Sequence, residues 1–257
     1  MATVSLAIGT QRRSAQPEAA RTMDITTLPS PNFGDRRGGR VELVVLHYTA
    51  MDNCEDAINT LCNPETEVSA HYVIAKTGEI TQLVEEGKRA WHAGAGRWAG
   101  RDDVNSRSIG IELDNDGFTP FENPLMESLE ALLGEILERH ELPAKAVIGH
   151  ADMAPDRKLD PGVLFDWHRL AEKGLSIWPE PALEGEFMRN AAYFGYPVEC
   201  GEGAILQAFR NRFRPGATGP MTPADQAMMA GLARQFPADV TERTARRIPS
   251  RPMRPMD

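Results

Sequence analysis

Cysteine is scarce in this chain of 257 residues: Cys54, Cys62 and Cys200 are all it has. An odd count excludes a complete disulfide framework and fits a reducing compartment, which predicts a cytoplasmic protein over a periplasmic one. Cys54 and Cys62 fall in one predicted helix, roughly 12 Å apart at the helical rise and too far to bridge. Long hydrophobic runs are missing too, and no stretch approaches the roughly 18 apolar residues of a membrane span. The opening MATVSLAIGTQRRSAQPEAA has no basic start, and its apolar piece, Val4 to Ile8, is short and broken by Ser5. It does not read as a secretory leader, and Met23 is an alternative start. Positive charge is in deficit. Lys and Arg number 28 against 37 Asp and Glu, a net charge of −9, which argues against a protein that coats nucleic acid or an anionic membrane. There is no internal repeat or low-complexity tract.

What is present describes a globular protein with a sizeable core: 41% hydrophobic and 25% charged residues. The length predicts one large domain and a small appendage. Residues 1–40 carry six Arg against three acids and residues 238–257 five against three, so the stretch 41–237 holds −14. The ends, 1–29 and 238–257, are predicted to be a disordered lead-in and a disordered Arg/Pro-rich tail, and SPNFGDRRGGR (30–40) a loop. VELVVLHYT (41–49) is apolar on both faces, as in a buried central strand. DNCEDAINTLC (52–62) reads as a helix capped by Asp52 or Asn53, and HYVIAKTGEITQLV (71–84) as two strands around a turn. RSIGIELDN (107–115) and KAVIGH (145–150) are further strands. Asn123-Pro124 opens an amphipathic helix with Leu125, Leu129, Leu132, Leu133, Ile136 and Leu137 on one face. Beyond the break IWPEP lie three short helical patterns, near 183–194, 202–213 and 222–235. The predicted fold is α/β (α+β): a mixed central β-sheet flanked by helices, plus a small C-terminal three-helix domain.

Two of the six histidines occupy equivalent places. His47 ends the strand after VVL and His150 ends the strand after AVIG. The carboxyl end of a strand is where α/β proteins present functional groups. One histidine there is ordinarily structural, whereas two point to a metal. Catalytic zinc takes three protein ligands and keeps one position open. Asp152, Asp156 and Asp160, in ADMAPDRKLDPG after His150, are all candidates for the third, and spacing does not choose among them. Asp160 precedes Pro161-Gly162, a turn that could aim its carboxylate back, although an Asp before Pro also simply starts a turn. Glu112 sits in a strand between Ile111 and Leu113, placed to act as a base if it faces a polar cleft rather than solvent. Lys158 is a candidate for stabilising an oxyanion, or an exposed loop lysine.

HYTA (47–50), SAHYVI (69–74), QLV (82–84), AWHAG (90–94), NSRSIGIELDN (105–115), VIGHADMAP (147–155) and RKLDPG (157–162) occur in the order of a known family. Over about residues 30–179 the chain resembles the zinc-dependent N-acetylmuramoyl-L-alanine amidases of type 2, and within them the bacterial subgroup of muropeptide-recycling and peptidoglycan amidases. The resemblance implies a Zn2+ site made by His47, His150 and Asp160, with Glu112 as catalytic acid/base and Lys158 on the oxyanion. Phage and animal branches place Cys where this chain has Asp160. His71 matches a family position and is expected to pack in the sheet, while Trp91, His92 and Asn105 are expected to bind substrate. The implied reaction is hydrolysis of the amide between N-acetylmuramic acid, or its 1,6-anhydro form, and L-alanine of the stem peptide. The implied partners are peptidoglycan fragments. Residues 182–236 resemble a three-helix peptidoglycan-binding domain, best in ILQAFRNRFRP (205–215). The rival expectations are a non-catalytic cell-wall binding module and an exported amidase acting on intact sacculus.

Overall fold

The computed structural model of the chain describes residues 23–183 and 185–238. Eight strands and seven α-helices occur along these residues, five of the helices after the last strand. Strands β1 (Ile25–Thr27), β3 (Leu43–Tyr48), β4 (Tyr72–Ile74), β5 (Ile80–Gln82), β7 (Ser108–Leu113) and β8 (Val147–Gly149) make one sheet in the order β1-β5-β4-β7-β3-β8. β4, β7, β3 and β8 run parallel, and β5 is antiparallel to β4 and parallel to β1. The sheet is therefore mixed, as predicted. Strands β2 (Phe33–Asp35) and β6 (Lys88–Ala90) form a separate antiparallel pair.

The two central strands divide their side chains by parity, because successive residues of a strand point to opposite faces. Val44 and Leu46 of β3, with Ile109, Ile111 and Leu113 of β7, pack under helix α2 (Asn123–Arg139). Leu125, Leu129, Leu132, Leu133 and Ile136 of α2 are wholly buried there, each contributing about 1.5–3 kcal/mol of apolar burial. The other parity, Leu43 and Val45 of β3 and Ile148 of β8, packs in one cluster with Phe187, Phe209, Phe213 and Met229. Those four come from α5 (Phe187–Phe194), α6 (Glu202–Phe213) and α7 (Pro223–Gln235). The C-terminal helices thus share a hydrophobic core with the sheet. Helix α1 (Cys54–Cys62) closes a smaller cluster of Leu61, Val73 and Leu83, and α3 (His150–Met153) and α4 (Trp167–Glu172) follow β8.

Two sequence expectations are corrected. Residues 25–27, assigned to an irregular lead-in, are edge strand β1 on β5. Phe33–Asp35, assigned to a loop, pairs with Lys88–Ala90. Each strand has three residues, too few to show a period of two, and exists because its partner supplies the hydrogen bonds. The rest of the predicted lead-in, 1–22, and the predicted tail from 239 lie outside the described residues. Among the described residues no helix is long and apolar enough to cross a membrane.

Candidate active site

His47 shares its β3 face with Leu43 and Val45, and the register pairs it with Glu112 on β7. Paired residues of parallel neighbours point to the same side of a sheet, so the histidine and the carboxylate stand together. Their common face on β7 reads Ser108, Gly110, Glu112, small residues and then an acid, opposite the apolar Ile109, Ile111 and Leu113. His150 opens α3 just beyond β8, the other neighbour of β3. The chain then returns until the Asp160 carbonyl accepts a hydrogen bond from the Ala151 amide at 2.9 Å. A cleft of about 460 Å³ opens at these strand ends, lined among others by His47, Trp91, Glu112, His150, Lys158 and Asp160. The fold thus brings together the predicted metal ligands, the predicted base and the predicted oxyanion lysine.

His47 Nδ1, His150 Nδ1 and Asp160 Oδ2 form a triangle with edges of 2.9–3.0 Å. Their tautomers follow from the hydrogen bonds behind them. The Ser108 hydroxyl donates to Val104 O at 2.7 Å, so Oγ accepts from His92 Nε2–H at 3.0 Å. His92 Nδ1 must then accept from His47 Nε2–H at 2.9 Å, which leaves His47 Nδ1 a lone pair. His150 Nε2–H donates to Ala93 O at 3.1 Å, which leaves its Nδ1 a lone pair as well. Two imidazole lone pairs and a carboxylate oxygen converge in a buried place with no donor among them. Such an arrangement is repulsive until a cation joins it. A tetrahedral ion with bonds of about 2.0–2.1 Å needs donor separations of roughly 3.3–3.4 Å, within a few tenths of an ångström of this triangle. The residues fit a small divalent cation.

Burial first, then the nearby His150, pushes His47 down to about 4, against the pull of Asp160. Burial alone would raise the Asp160 carboxyl, but His150 and His47 beside it hold it well below the usual range, so the group in the triangle is the carboxylate. Glu112 is the reverse case: burial, then the Asp160 charge, push its carboxyl well above the ordinary value, with Lys158 opposing. Its buried Oε2 has no hydrogen-bond partner among the described residues. An acid kept without a partner at a cleft wall is free to exchange a proton with whatever enters.

The residues expected to touch substrate divide. Trp91 is half-buried on the cleft wall. His92 contributes to the floor, but both its ring nitrogens are engaged by His47 and Ser108, so it supports a ligand residue from behind. Asn105 is corrected: it is buried, and its Oδ1 accepts from the His92 and Ala93 amides at 3.1 and 2.8 Å, holding that loop and not facing the cleft. His71 packs in the sheet as expected, accepting from the Gly110 amide at 2.9 Å. Sequence reasoning missed Gly110, where a Cβ would lie 2.3 Å from the His92 ring. It also missed Tyr48, whose ring is met by the Cβ positions of Gly117 and Gly162, both at positive φ. Two such glycines in the loops beside one strand end were the available signal.

Residues 37–163 match the family described as N-acetylmuramoyl-L-alanine amidase. The chain is 32% identical over 237 residues to the amidase AmiD of Escherichia coli, covering 78% of this chain and 85% of that protein. It belongs to the N-acetylmuramoyl-L-alanine amidase family. A second relative of this amidase, the 1,6-anhydro-N-acetylmuramyl-L-alanine amidase AmpD of Haemophilus influenzae, is 32% identical over 177 residues, 62% of this chain and 96% of that one. Among solved structures, the Escherichia coli AmiD complex with anhydro-N-acetylmuramic acid-L-Ala-D-gamma-Glu-L-Lys matches 89% of the amidase and 95% of its own chain, with a TM-score of 0.72 and 30% identity. AmpDh3 of Pseudomonas aeruginosa with anhydromuramic pentapeptide matches 88% and 99%, with a TM-score of 0.70 and 28% identity. The amidase is a metal-dependent hydrolase by family, with a His-His-Asp group in place.

Proposed function

We propose that this amidase uses zinc to hydrolyse the bond between the lactyl carbonyl of 1,6-anhydro-N-acetylmuramic acid and L-alanine of the stem peptide. The observation that carries it is the convergence of three acceptor atoms, from His47, His150 and Asp160, beside the unpartnered carboxyl of Glu112. The substrates named for the two complexed relatives support the choice of muropeptide. Two nitrogens and a carboxylate oxygen suit zinc. When bound, zinc supplies Lewis acidity that polarises a carbonyl and acidifies water.

The protein's own groups do the rest. Glu112 accepts a proton from the attacking water and passes it to the leaving alanine nitrogen. The Lys158 ammonium faces the negative charge that develops on the carbonyl oxygen. Trp91 and Tyr48 provide the walls against which the sugar and the first peptide residues are oriented. Glu112→Gln is expected to retain zinc and lose about 10²–10⁴-fold in release of free stem peptide from an anhydro-muropeptide. Wild-type turnover in that variant would remove Glu112 from the role.

We place the enzyme in the cytoplasm, acting on soluble fragments, on the strength of three free cysteines. Cell fractionation, with activity compared on soluble anhydro-muropeptides and intact sacculi, tests this. Sedimentation of the chain with sacculi tests the resemblance of 182–236 to a wall-binding domain.

A further inference from the structure

Helix α6 carries two buried arginines with different partners. Arg210 stays within the C-terminal helices, bonding both carboxylate oxygens of Asp225 at 3.0 and 2.6 Å. Arg212 crosses to the sheet. Its Nη1 bonds Asp152 Oδ2 at 2.5 Å, and its Nη2 donates to Val147 O at 2.8 Å. Its guanidinium lies 4.2 Å above the Trp167 ring and 4.8 Å from that of Phe213. Asp152 also receives the Tyr196 hydroxyl on Oδ1 at 2.7 Å and the Gly149 amide on Oδ2 at 2.8 Å. Arg212, Asp152 and Tyr196 are each at most 3% exposed.

These contacts surround His150. Val147 and Gly149 precede it on β8, and Asp152 follows it on α3. Its next residue, Ala151, holds the Asp160 carbonyl, and its own carbonyl accepts from the Ala154 amide at 3.1 Å. The Ala154 carbonyl in turn accepts from the Lys158 amide at 3.0 Å. The turn gripped by Arg212 and Tyr196 therefore sets two predicted metal ligands and the segment carrying Lys158. Displacing a metal-site support by a fraction of an ångström lowers affinity for the ion.

We propose that Arg212 and Tyr196 are positioning residues for the metal centre, so that α6 is a structural part of the catalytic site. This rests on the assignment of His47, His150 and Asp160 as the zinc ligands. Neither residue touches the ion or the substrate. They act by holding Asp152, which fixes the strand-to-helix turn under His150.

The test compares zinc affinity in the full chain, by competition with a chromophoric chelator, for wild type, Arg212→Lys, Tyr196→Phe, Arg210→Lys and His150→Ala. Thermal melts of the zinc-free proteins run alongside. A lysine at 212 keeps the charge but cannot reach Asp152 and Val147 O together. Arg212→Lys is expected to weaken zinc binding by about 10–100-fold. Tyr196→Phe loses one hydroxyl and keeps its ring, so it carries the test if Arg212→Lys does not fold. It is expected to weaken binding about threefold or more, the low end for one net hydrogen bond. Arg210→Lys breaks a comparable ion pair in the same helix. It is expected to lower the melting temperature and leave zinc affinity within about twofold, since errors of that size lie below one net hydrogen bond.

Wild-type zinc affinity in both Arg212→Lys and Tyr196→Phe would overturn the proposal while leaving the ligand assignment intact. An equal loss of affinity in Arg210→Lys would also overturn it, by showing general destabilisation. Equal zinc binding by wild type and His150→Ala would overturn the ligand assignment itself, and the proposal with it.

Discussion

His92→Leu is expected to loosen zinc without touching a zinc ligand. In the native site His47 Nε2–H donates to His92 Nδ1 at 2.9 Å, and the pair is buried. A leucine leaves that N–H without an acceptor, at a cost of about 1–3 kcal/mol for a buried unsatisfied donor. His47 escapes the cost by moving its proton to Nδ1, where it occupies the lone pair the metal needs. The full cost is then charged against the metal-binding tautomer. At about 1.4 kcal/mol per factor of ten, zinc affinity falls by roughly 5- to 150-fold. Competition with a chromophoric chelator at neutral pH measures it directly. His92→Gln, whose side-chain carbonyl can accept from His47, should recover part of the loss. Ser108→Ala should give a smaller loss of the same sign, because it frees His92 Nε2–H and lets the ring turn. Zinc affinity within about twofold of wild type in His92→Leu, below the low end of that range, would refute the tautomer chain.

Gly110→Ala puts a Cβ 2.3 Å from the His92 ring and should cost about 1–3 kcal/mol of stability together with zinc affinity, read by melting and chelator competition. Asp225→Ala leaves Arg210 and Arg214 without their shared carboxylate and removes the reciprocal half of the α7 capping box, the Thr222 cap itself staying in place, so a loss of about 3–5 kcal/mol is expected in urea titrations. His71 is pushed down to about 3, by burial and then by Arg36. The unfolded chain therefore takes up this proton near pH 6.5 while the folded chain does not, so stability is lost as pH falls from about 6.5 toward 3, by up to about 1.4 kcal/mol per pH unit. His71→Gln should flatten the wild-type slope between pH 7 and 5 by up to that amount, and identical slopes would exclude the assignment.

The sheet was legible where its strands are long or its alternation is clean. VELVVLHYT and RSIGIELDN became β3 and β7, and the second already held the architecture of the site, with Ile109, Ile111 and Leu113 on one parity and Ser108, Gly110 and Glu112 on the other. What composition left open was whether that second face met water or a cleft. The answer came from His92, whose ring fills the space over Gly110. The choice among Asp152, Asp156 and Asp160 was also closed to local pattern. Asp152 is as near His150 as a ligand could wish, yet its carboxylate is taken by Tyr196 and Arg212, 44 and 60 residues away in the chain. Contacts that distant leave no trace in spacing.

The C-terminal helices show the same limit from the other side. Arginine is ordinarily a surface residue, so the run ILQAFRNRFRP suggests a helix with a wet face and a unit that stands apart. In the fold Arg210, Asn211 and Arg212 are all buried on α6, and the charges point inward to Asp225 and Asp152. A helix that buries its arginines against a neighbour cannot leave that neighbour cheaply, because each carboxylate would be stranded without its partner. The sharing of one apolar cluster between β3, β8 and the three helices says the same in hydrophobic terms. The boundary near residue 180 is therefore a break in sequence character more than a break in structure, and cutting the chain there should damage the turn that carries His150.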